Sequence, residues 1–288
     1  MKQLKIVNFI GGLGNQMFQY AFYKSLEQCF ENVKADISGF KNYKLHNGFE
    51  LEDIFDIKIN HSTNFENLKL GGGHFFIAKI WRRVCMLMNC YCLCKEPFLF
   101  DPYIFEHKKS TYYWGHWQNE RYFCNISDQI RKDFIFKTQL NEKNLRIKNI
   151  IDEKKSISMH IRRGDYVNNS IHGDICNAEY YHKAINYINS MVSDATYFIF
   201  SDDIAWCKNN FEITNCHYID WNKGKESYVD MQLMSLCNHN IIANSSFSWW
   251  GAWLNNNPQK IVVSPSKWFN GIEYDIKDII PTKWILIE

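Results

Sequence analysis

Short apolar segments alternate with amphipathic segments through the second half of the chain, and this alternation constrains the fold more than any other feature. The apolar runs end in small or polar residues, as strands do, and the segments between them carry apolar residues at helical spacing. Strands that alternate with helices form a parallel sheet covered on both faces. The predicted strands are Ile157–Ile161, Thr196–Phe200 (with a short helix after it), His217–Ile219, Asn240–Ala243 and Lys260–Val263, which closes the series, and the predicted helices are Ala178–Met191, Ser227–Cys237 and Ser248–Leu254.

The N-terminal half opens with a second series of the same kind. Its predicted elements are a strand at Leu4–Ile10, a glycine turn at Gly11–Gly14, a helix at Asn15–Phe30 and a strand at Val33–Ile37, followed by residues 40–150, which are mainly helical with loops. The 288 residues are enough for two domains. The sequence therefore predicts an α/β fold of two Rossmann-like domains that face each other across a cleft, at residues 1–150 and 151–288.

Composition excludes several classes of function. The formal net charge is +2, far from the basic excess with which nucleic-acid-binding proteins meet phosphate, so we expect no nucleic-acid partner. Aromatic residues make up 16% of the chain, and their flat rings suit sugar faces, although most such residues fill cores. The sequence passes from Met1 directly into an apolar strand with no secretory signal, which predicts a cytoplasmic protein without a disulfide framework.

Residues 75–94 bear on metal binding and on membranes. Cys90, Cys92 and Cys94 alternate, so on a strand they would point one way and could not easily enclose a tetrahedral Zn²⁺. The apolar stretch Phe75–Cys94 is interrupted by two arginines and does not predict a transmembrane helix. A basic, apolar segment of this kind is compatible with peripheral contact at a membrane surface.

The glycine turn after the first strand resembles a dinucleotide-binding loop but lacks one glycine. Gly12 and Gly14 fit the G-x-G-x-x-G pattern, whereas Met17 occupies the third glycine position, so a nicotinamide cofactor is disfavoured. Small residues still let the backbone approach a ligand, and the helix N–H groups with the amides of Asn15 and Gln16 can bind an anion or a sugar oxygen. The alternative is a tight strand-to-helix turn with capping polar groups.

The segment His160–Tyr166 carries the strongest chemical signal in the chain. It follows an apolar strand, at the edge where α/β sheets place ligand-binding groups. His160 and Arg162 share one face of the strand, and the planar guanidinium of Arg162 suits bidentate binding of a diphosphate. Arg163 points the other way and is expected to pair with an acid such as Asp165. The alternative is that the whole segment is a structural Arg–Asp pair.

Two later strand ends supply further polar groups. Asp202 and Asp203 are adjacent and lack the D-x-D spacing with which many glycosyltransferases hold Mn²⁺, so contacts with ribose or base, or helix capping by Ser201 and Asp202, are favoured. The segment Asn244–Gly251 places hydroxyl groups at a helix N-terminus, which is a common phosphate site. A plain helix cap with tryptophans in the core is the alternative, and the two interpretations are compatible.

Four motifs together resemble the bacterial branch of the α-1,2-fucosyltransferases, a glycosyltransferase family (type eleven). They are G-G-L-G-N-Q-M at Gly11–Met17, H-I-R-R-G-D-Y at His160–Tyr166, F-S-D-D at Phe200–Asp203 and N-S-S-F-S-W-W-G at Asn244–Gly251, in the family's order. The resemblance implies a GT-B architecture with GDP-fucose bound by the C-terminal half and the acceptor by the N-terminal half. It also implies inversion at the anomeric carbon and no metal requirement.

The resemblance also assigns residues to the site. Arg162 is expected to bind the diphosphate, and Asp230 to accept hydrogen bonds from N1–H and N2–H₂ of guanine. The proton of the acceptor hydroxyl goes either to Asp165 or to a phosphate oxygen of the donor. The catalytic set is Arg162, Asp165, His160 and Asn15, and the donor-binding set is Gly12, Gly14, Gln16, Arg163, Asp202, Asp230, Asn244, Ser245, Ser246 and Phe247, with no metal ligand.

The implied reaction is inverting transfer of L-fucose from GDP-β-L-fucose to the 2-hydroxyl of a terminal galactose, in an oligosaccharide or a lipid-linked glycan, without a cofactor. One rival is another metal-independent GT-B enzyme that uses a different nucleotide sugar. A rival of another class is a non-catalytic carbohydrate-binding protein, which would have no use for the anion-binding residues. The N-terminus carries no membrane anchor, which implies a cytoplasmic enzyme, compatible with peripheral contact at the inner membrane face.

Overall fold

The chain forms two compact α/β units, Met1–Lys137 and Thr138–Glu288. The computed structural model describes residues 3–42, 46–73, 76–87, 93–97, 99–272 and 274–288. The boundary between the two units lies after Lys137 and therefore precedes the one expected at residue 150. The reason is the helix Glu142–Glu153, which packs on the strand Lys155–Ile161 and the helix Tyr228–Leu236 of the second unit.

The first unit is built on a parallel sheet. Its strands are β1 (Lys5–Asn8), β2 (Val33–Asp36), β3 (Leu93–Lys95) and β4 (Thr111–Trp114), and its helices are α1 (Leu13–Cys29), α2 (Leu51–Ile54), α3 (Asn64–Lys69), α4 (Phe76–Leu87) and α5 (Ser127–Asp133). The strand order is β2-β1-β4-β3. The predicted strand–turn–helix–strand series is confirmed by β1, α1 and β2. The described part of residues 40–150 is mainly helix and loop, as expected, and β3 and β4 add two short strands to it.

An aromatic cluster joins α1 to the loop after β4. Phe22 of α1 stacks flat on Trp117, with ring centroids 4.0 Å apart. The rings of Tyr113 and Tyr122 meet this pair edge-on. All four side chains are buried, so the conformation of the loop is fixed by the core of the unit.

The second unit contains a six-stranded parallel sheet. Its strands are β5 (Lys155–Ile161), β6 (Ala195–Ser201), β7 (Cys216–Ile219), β8 (His239–Ile241), β9 (Val262–Pro265) and β10 (Ile285–Ile287), and its helices are α6 (Glu142–Glu153), α7 (Ala178–Met191), α8 (Ile204–Asn210), α9 (Tyr228–Leu236) and α10 (Ser246–Leu254). The strand order is β10-β9-β8-β5-β6-β7. The predicted elements of this half are confirmed, except that β10 extends the series beyond its expected last strand.

Strand β5 lies at the point where the direction of chain progress across the sheet reverses. The chain passes from β5 to β6 and β7 on one side and then returns to β8, which pairs with the other side of β5. Such a reversal leaves a crevice at the carboxyl ends of the two central strands, where α/β sheets bind ligands. The residues that follow β5 and β8 therefore form the candidate site.

None of the helices in the described ranges is long and apolar enough to cross a bilayer. Helix α4 occupies most of the apolar stretch that begins at Phe75. Of the three alternating cysteines, Cys94 lies on β3. Cys90 and Cys92 lie outside the described residues.

Candidate active site

The register of β5 and β6 sets the surroundings of Arg162. Ile161 pairs with Ser201, so the next residues, Arg162 and Asp202, leave the sheet side by side. Nη1 of Arg162 lies 3.0 Å from Oδ2 of Asp202, and Nη2 lies 2.8 Å from Oδ1 of Asp165. The Arg162 side chain is 31% exposed, so part of its guanidinium remains open to a ligand at the strand end.

Arg163 pairs with an acid as expected, but the acid is Asp203 and not Asp165. The alternation of side chains along the strand turns Arg163 toward α8, where its Nε lies 3.2 Å from Oδ2 of Asp203 and its guanidinium lies 4.2 Å from the ring centroid of Trp206. Asp203, and not Asp202, caps α8 by accepting the Trp206 N–H at 3.0 Å. Arg163 therefore holds α8 in place behind the Arg162 pair.

His160 is buried next to Arg162 in its neutral form. Burial lowers the pKa of His160 to about 4, and the positive charge of Arg162 acts in the same direction while Asp202 opposes it. Its ring contacts Phe247 of α10, with centroids 5.7 Å apart. Within the described residues, Nδ1 of His160 has no hydrogen-bond partner. His160 therefore shapes the crevice and supplies no positive charge to it.

The N-terminus of α10 follows β8 on the other side of the crevice. Ser245 is the N-cap residue, but its hydroxyl does not cap the helix, and Ser246 begins the first turn. The first N–H groups of a helix have no partner within the helix. A helix of this length with an uncapped first turn presents these N–H groups, and the positive end of its dipole, to an anion.

Asn244 ties the turn before α10 to its neighbours. Its Nδ2 donates to the carbonyl oxygens of His172, at 3.1 Å, and Trp268, at 3.2 Å. The backbone carbonyl oxygen of Asn244 accepts a hydrogen bond from the Tyr166 hydroxyl at 3.3 Å. The amide N–H groups of Asn244 thus hold the turn in position, and the expected contact of this residue with the sugar nucleotide stays a prediction. Tyr166 links the arginine loop to this turn and is a further residue of the site, beyond those that the motifs predict.

Asp230 lies in the first turn of α9, where a network of amides holds it. Nδ2 of Asn222 donates to its Oδ1 at 2.7 Å, and Asn222 and Asn144 exchange two hydrogen bonds. Burial raises the pKa of Asp230 to about 7, with the Asn222 hydrogen bond opposing the shift and Asp220 adding to it. No motif marks Asn222 or Asn144, because Asn222 reaches Asp230 from a loop and Asn144 supports Asn222 from α6.

The glycine turn of the first unit connects β1 to α1, and the side chain of Gln16 packs inside it. Gly11 has φ +83°, which favours glycine, and Gly12 is the N-cap of α1. The Gln16 amide donates to the carbonyls of Gly11 and Gly48 and accepts the backbone N–H of Glu50. The side chain is fully buried. The expected contact of Gln16 with a donor is therefore corrected: its amide holds the turn together.

Asn15 differs from Gln16 because its side chain is not fully buried. Its Oδ1 accepts Nε2 of Gln118 at 2.7 Å, from the loop after β4. Its side chain is half-buried, and its Nδ2 makes no hydrogen bond with the described residues. Gly14 lies buried within α1 beside it.

Comparison with known proteins identifies the family. Glycosyl transferase family 11 matches residues 1–288. The chain belongs to this family. An α-1,2-colitosyltransferase of Escherichia coli is 38% identical over 298 residues, with 98% of each chain covered. The O-antigen biosynthesis glycosyltransferase WbnK of Escherichia coli is 34% identical over 285 residues, covering 91% of this chain and 93% of WbnK.

A solved structure with the same fold supports the architecture. NodZ, an α-1,6-fucosyltransferase whose crystal was soaked with GDP-fucose, aligns with a TM-score of 0.51 at 15% identity, over 88% of this chain and 93% of NodZ. The GT-B class expected from the sequence is confirmed by this likeness and by the two parallel-sheet units.

The chemistry available to this family 11 glycosyltransferase lies at the crevice of the second unit. Arg162 contributes a guanidinium, and α10 contributes the N–H groups of an uncapped turn. Fixed donors of this kind stabilise negative charge that develops on a leaving group without having to reorganise. The arrangement therefore suits the departure of an anion such as a nucleoside diphosphate.

Proposed function

We propose that the chain transfers L-fucose from GDP-β-L-fucose to the 2-hydroxyl of a terminal galactose, with inversion at the anomeric carbon. The observation that carries this proposal is the convergence of Arg162 and the α10 N-terminus on the ends of β5 and β8. The α-1,2 linkage named for the Escherichia coli relative supports attack by a 2-hydroxyl. The O-antigen relative supports a glycan acceptor, either free or lipid-linked.

Recognition of the nucleobase of the sugar nucleotide is assigned to Asp230. A carboxylate that accepts two hydrogen bonds matches N1–H and N2–H₂ of guanine, and no other common nucleobase offers that pair of donors. The Asn222 hydrogen bond fixes the orientation of the carboxylate through Oδ1. This assignment favours GDP over UDP as the leaving group.

The reaction is a direct displacement. The acceptor oxygen forms a bond to the anomeric carbon while the bond from that carbon to the β-phosphate oxygen breaks, on the opposite face. The electron pair leaves with GDP, where Arg162 and the α10 N–H groups stabilise it more in the transition state than in the ground state. The acceptor proton passes to Asp165 or to a phosphate oxygen. The phosphate oxygen is the better supported of the two, because Asp165 is held by Arg162 at 2.8 Å.

A specific observation favours one second candidate donor, GDP-colitose. The relative that is 38% identical is named a colitosyltransferase, and colitose is L-fucose without its 3-hydroxyl. The two donors share GDP and the inverting displacement. They differ in whether a protein group must hydrogen-bond the 3-hydroxyl, which changes specificity by a large factor when such a group is present.

Release of GDP tests the proposed function. Purified protein should release GDP from GDP-fucose only when a galactose-terminated disaccharide is present, and the product should carry an α-1,2-linked fucose by NMR. GDP should raise the melting temperature, and UDP should not, because only a ligand of the folded state stabilises it. Turnover of GDP-colitose with GDP-fucose left unused would select the second donor. Sugar binding without release of any nucleotide would indicate a carbohydrate-binding protein.

We propose that the reaction needs no metal ion. Asp202 forms an ion pair with Arg162 at 3.0 Å, and Asp203 forms one with Arg163 at 3.2 Å, so both carboxylates are paired with arginines. The negative charge of the diphosphate is instead neutralised by Arg162 and the helix N–H groups. A Mn²⁺-dependent enzyme would instead use carboxylates to bridge the ion to both phosphates. Turnover should persist in millimolar EDTA, with at most a modest increase when Mg²⁺ is added. Loss of turnover in EDTA with recovery in Mn²⁺ would contradict this prediction.

We also propose that α4 contacts the surface of an anionic membrane, as suits a cytoplasmic enzyme that acts on a lipid-linked glycan. Phe76, Ile77, Ile80 and Trp81 form one apolar face of the helix, and all are more than 40% exposed. Lys79 and Arg83 flank this face and are exposed. Apolar side chains flanked by basic ones suit the interface of an anionic bilayer, where each basic residue contributes about 1 kcal/mol.

Sedimentation with vesicles tests the role of α4. The protein should bind vesicles that contain phosphatidylglycerol, and Phe76→Ser with Trp81→Ser should weaken binding by about tenfold or more, since burial of an aromatic side chain is worth about 2 kcal/mol. Ile135→Ser is the control, because Ile135 is also exposed in the first unit but lies outside α4. Equal binding to neutral and anionic vesicles, or an equal loss in the control, would count against the proposal.

A further inference from the structure

The loop Gly115–Gln118, which follows β4, is held in an unfavourable backbone conformation. Trp117 has φ +58°, in the left-handed region that a bulky side chain rarely adopts. The side chain is fully buried and stacks on Phe22, so the aromatic cluster of the first unit maintains this conformation. Such backbone strain persists only where the surroundings over-determine it, and it concentrates at functional sites.

Glu96, the residue after β3, holds the same loop in place. Its two carboxylate oxygens accept the backbone N–H of His116 at 2.6 Å and that of Gln118 at 3.0 Å. A Cβ at Gly115 would lie 2.3 Å from the Glu96 side chain, so only glycine admits this approach. Nε2 of Gln19 on α1 donates to the Gly115 carbonyl at 3.0 Å, which secures the other end of the loop. The loop is therefore clamped from both sides.

The clamped loop brings uncharged polar groups to the carboxyl edge of the first sheet. Gln118 donates to Oδ1 of Asn15, which sets the orientation of that amide next to the loop. The His116 side chain is exposed on the loop, so its imidazole is open to a ligand. A neutral imidazole both donates and accepts hydrogen bonds.

We infer that His116 and Asn15, presented by this loop, bind the hydroxyl groups of the acceptor sugar. Hydroxyls need partners that donate and partners that accept, and an imidazole and an amide together supply both. The carboxylate of Glu96 disfavours a phosphate here, which separates this site chemically from the anion-binding crevice of the second unit. The class of ligand is an uncharged pyranoside at the end of a glycan. This inference rests on the proposed function for its reaction, although not for its sugar-binding geometry.

Two variants and a matched control test the loop. His116→Gln removes the imidazole, and Asn15→Asp replaces the amide donor with an acceptor of the same shape. His107→Gln is the control, because His107 lies before β4, at the opposite end of the same strand. The probe is N-acetyllactosamine, observed by saturation-transfer NMR in the presence of GDP and used as the acceptor in transfer assays. GDP affinity is measured separately by calorimetry.

Both site variants should raise the acceptor KM by about tenfold or more, the scale of losing a hydrogen bond that cannot be replaced, and should lose most of the saturation-transfer signal. Their GDP affinity should stay within about twofold of the wild type, and His107→Gln should match the wild type throughout. Wild-type acceptor kinetics in both variants, a parallel loss of GDP binding, or no signal from the wild-type protein would overturn the inference. A protein that uses no GDP-sugar, yet loses its sugar signal in both variants, would refute the proposed reaction and retain this site.

Discussion

Replacement of Arg162 with alanine should lower kcat/KM for transfer by at least about 100-fold, the usual scale for removing one preorganised stabiliser of transition-state charge. The β-phosphate gains negative charge as the sugar leaves, and the alanine variant removes the cation that meets it. The variant also leaves Asp165 and Asp202 without the guanidinium that they now share. Two unpaired carboxylates would then repel the diphosphate. Initial rates at saturating acceptor measure the effect.

Further variants separate the two causes. Arg162→Lys should also be poor, because one ammonium cannot contact Asp165, Asp202 and a diphosphate in the geometry of a planar fork. Adding Asp202→Asn to Arg162→Ala should restore part of the GDP affinity and little of the turnover, since it removes repulsion without restoring the cation. Arg146→Ala, at an 81% exposed side chain on α6, is the control and should behave as the wild type. Near-full activity of Arg162→Lys would rule out bidentate binding of the diphosphate by the Arg162 guanidinium.

The arginine segment shows what sequence patterns can and cannot predict at this site. Placing Arg162 at the end of a buried strand needs only the apolar run before it, and the structure agrees. Its partners depend on the pairing of β5 with β6 and on their register, which brings Asp202 beside Arg162 and Asp203 within reach of Arg163. Periodicity along one strand carries no information about which strand lies next to it.

The same difference between local patterns and long-range pairing explains which strands and helices the sequence predicts. The strands β5 and β6 have seven residues each and the helix α7 has fourteen, so their patterns are clear in the sequence. The strands β3 and β10 have only three residues each and β4 has four, too few to show an alternation. They are strands because neighbouring strands complete their hydrogen bonds. The role of a side chain is equally hard to predict when its partners are distant in sequence. The amide of Gln16 is buried by contacts with Gly48 and Glu50, which lie more than 30 residues further along the chain.

Replacement of Asp230 with alanine should weaken GDP binding by roughly 1–3 kcal/mol, the range expected when two donors lose a charged acceptor. Binding of ADP should change much less, because adenine lacks the N1–H and N2–H₂ donors. Calorimetric titrations of both nucleotides give the ratio of affinities, in which shared effects on the diphosphate cancel. Glu226→Ala is the control, since Glu226 is exposed in the turn before α9.

The pH dependence of this ratio tests Asp230 in the wild-type protein. Because burial raises its pKa to about 7, Asp230 is largely protonated below that pH and cannot accept both hydrogen bonds from guanine. The GDP-to-ADP affinity ratio should therefore rise between pH 5.5 and 8 and then level off. Titration of the terminal phosphate affects both nucleotides alike, and Asp230→Asn should abolish the pH dependence of the ratio. A ratio that is flat in the wild type, or an equal loss of GDP and ADP binding in Asp230→Ala, would remove Asp230 from base recognition.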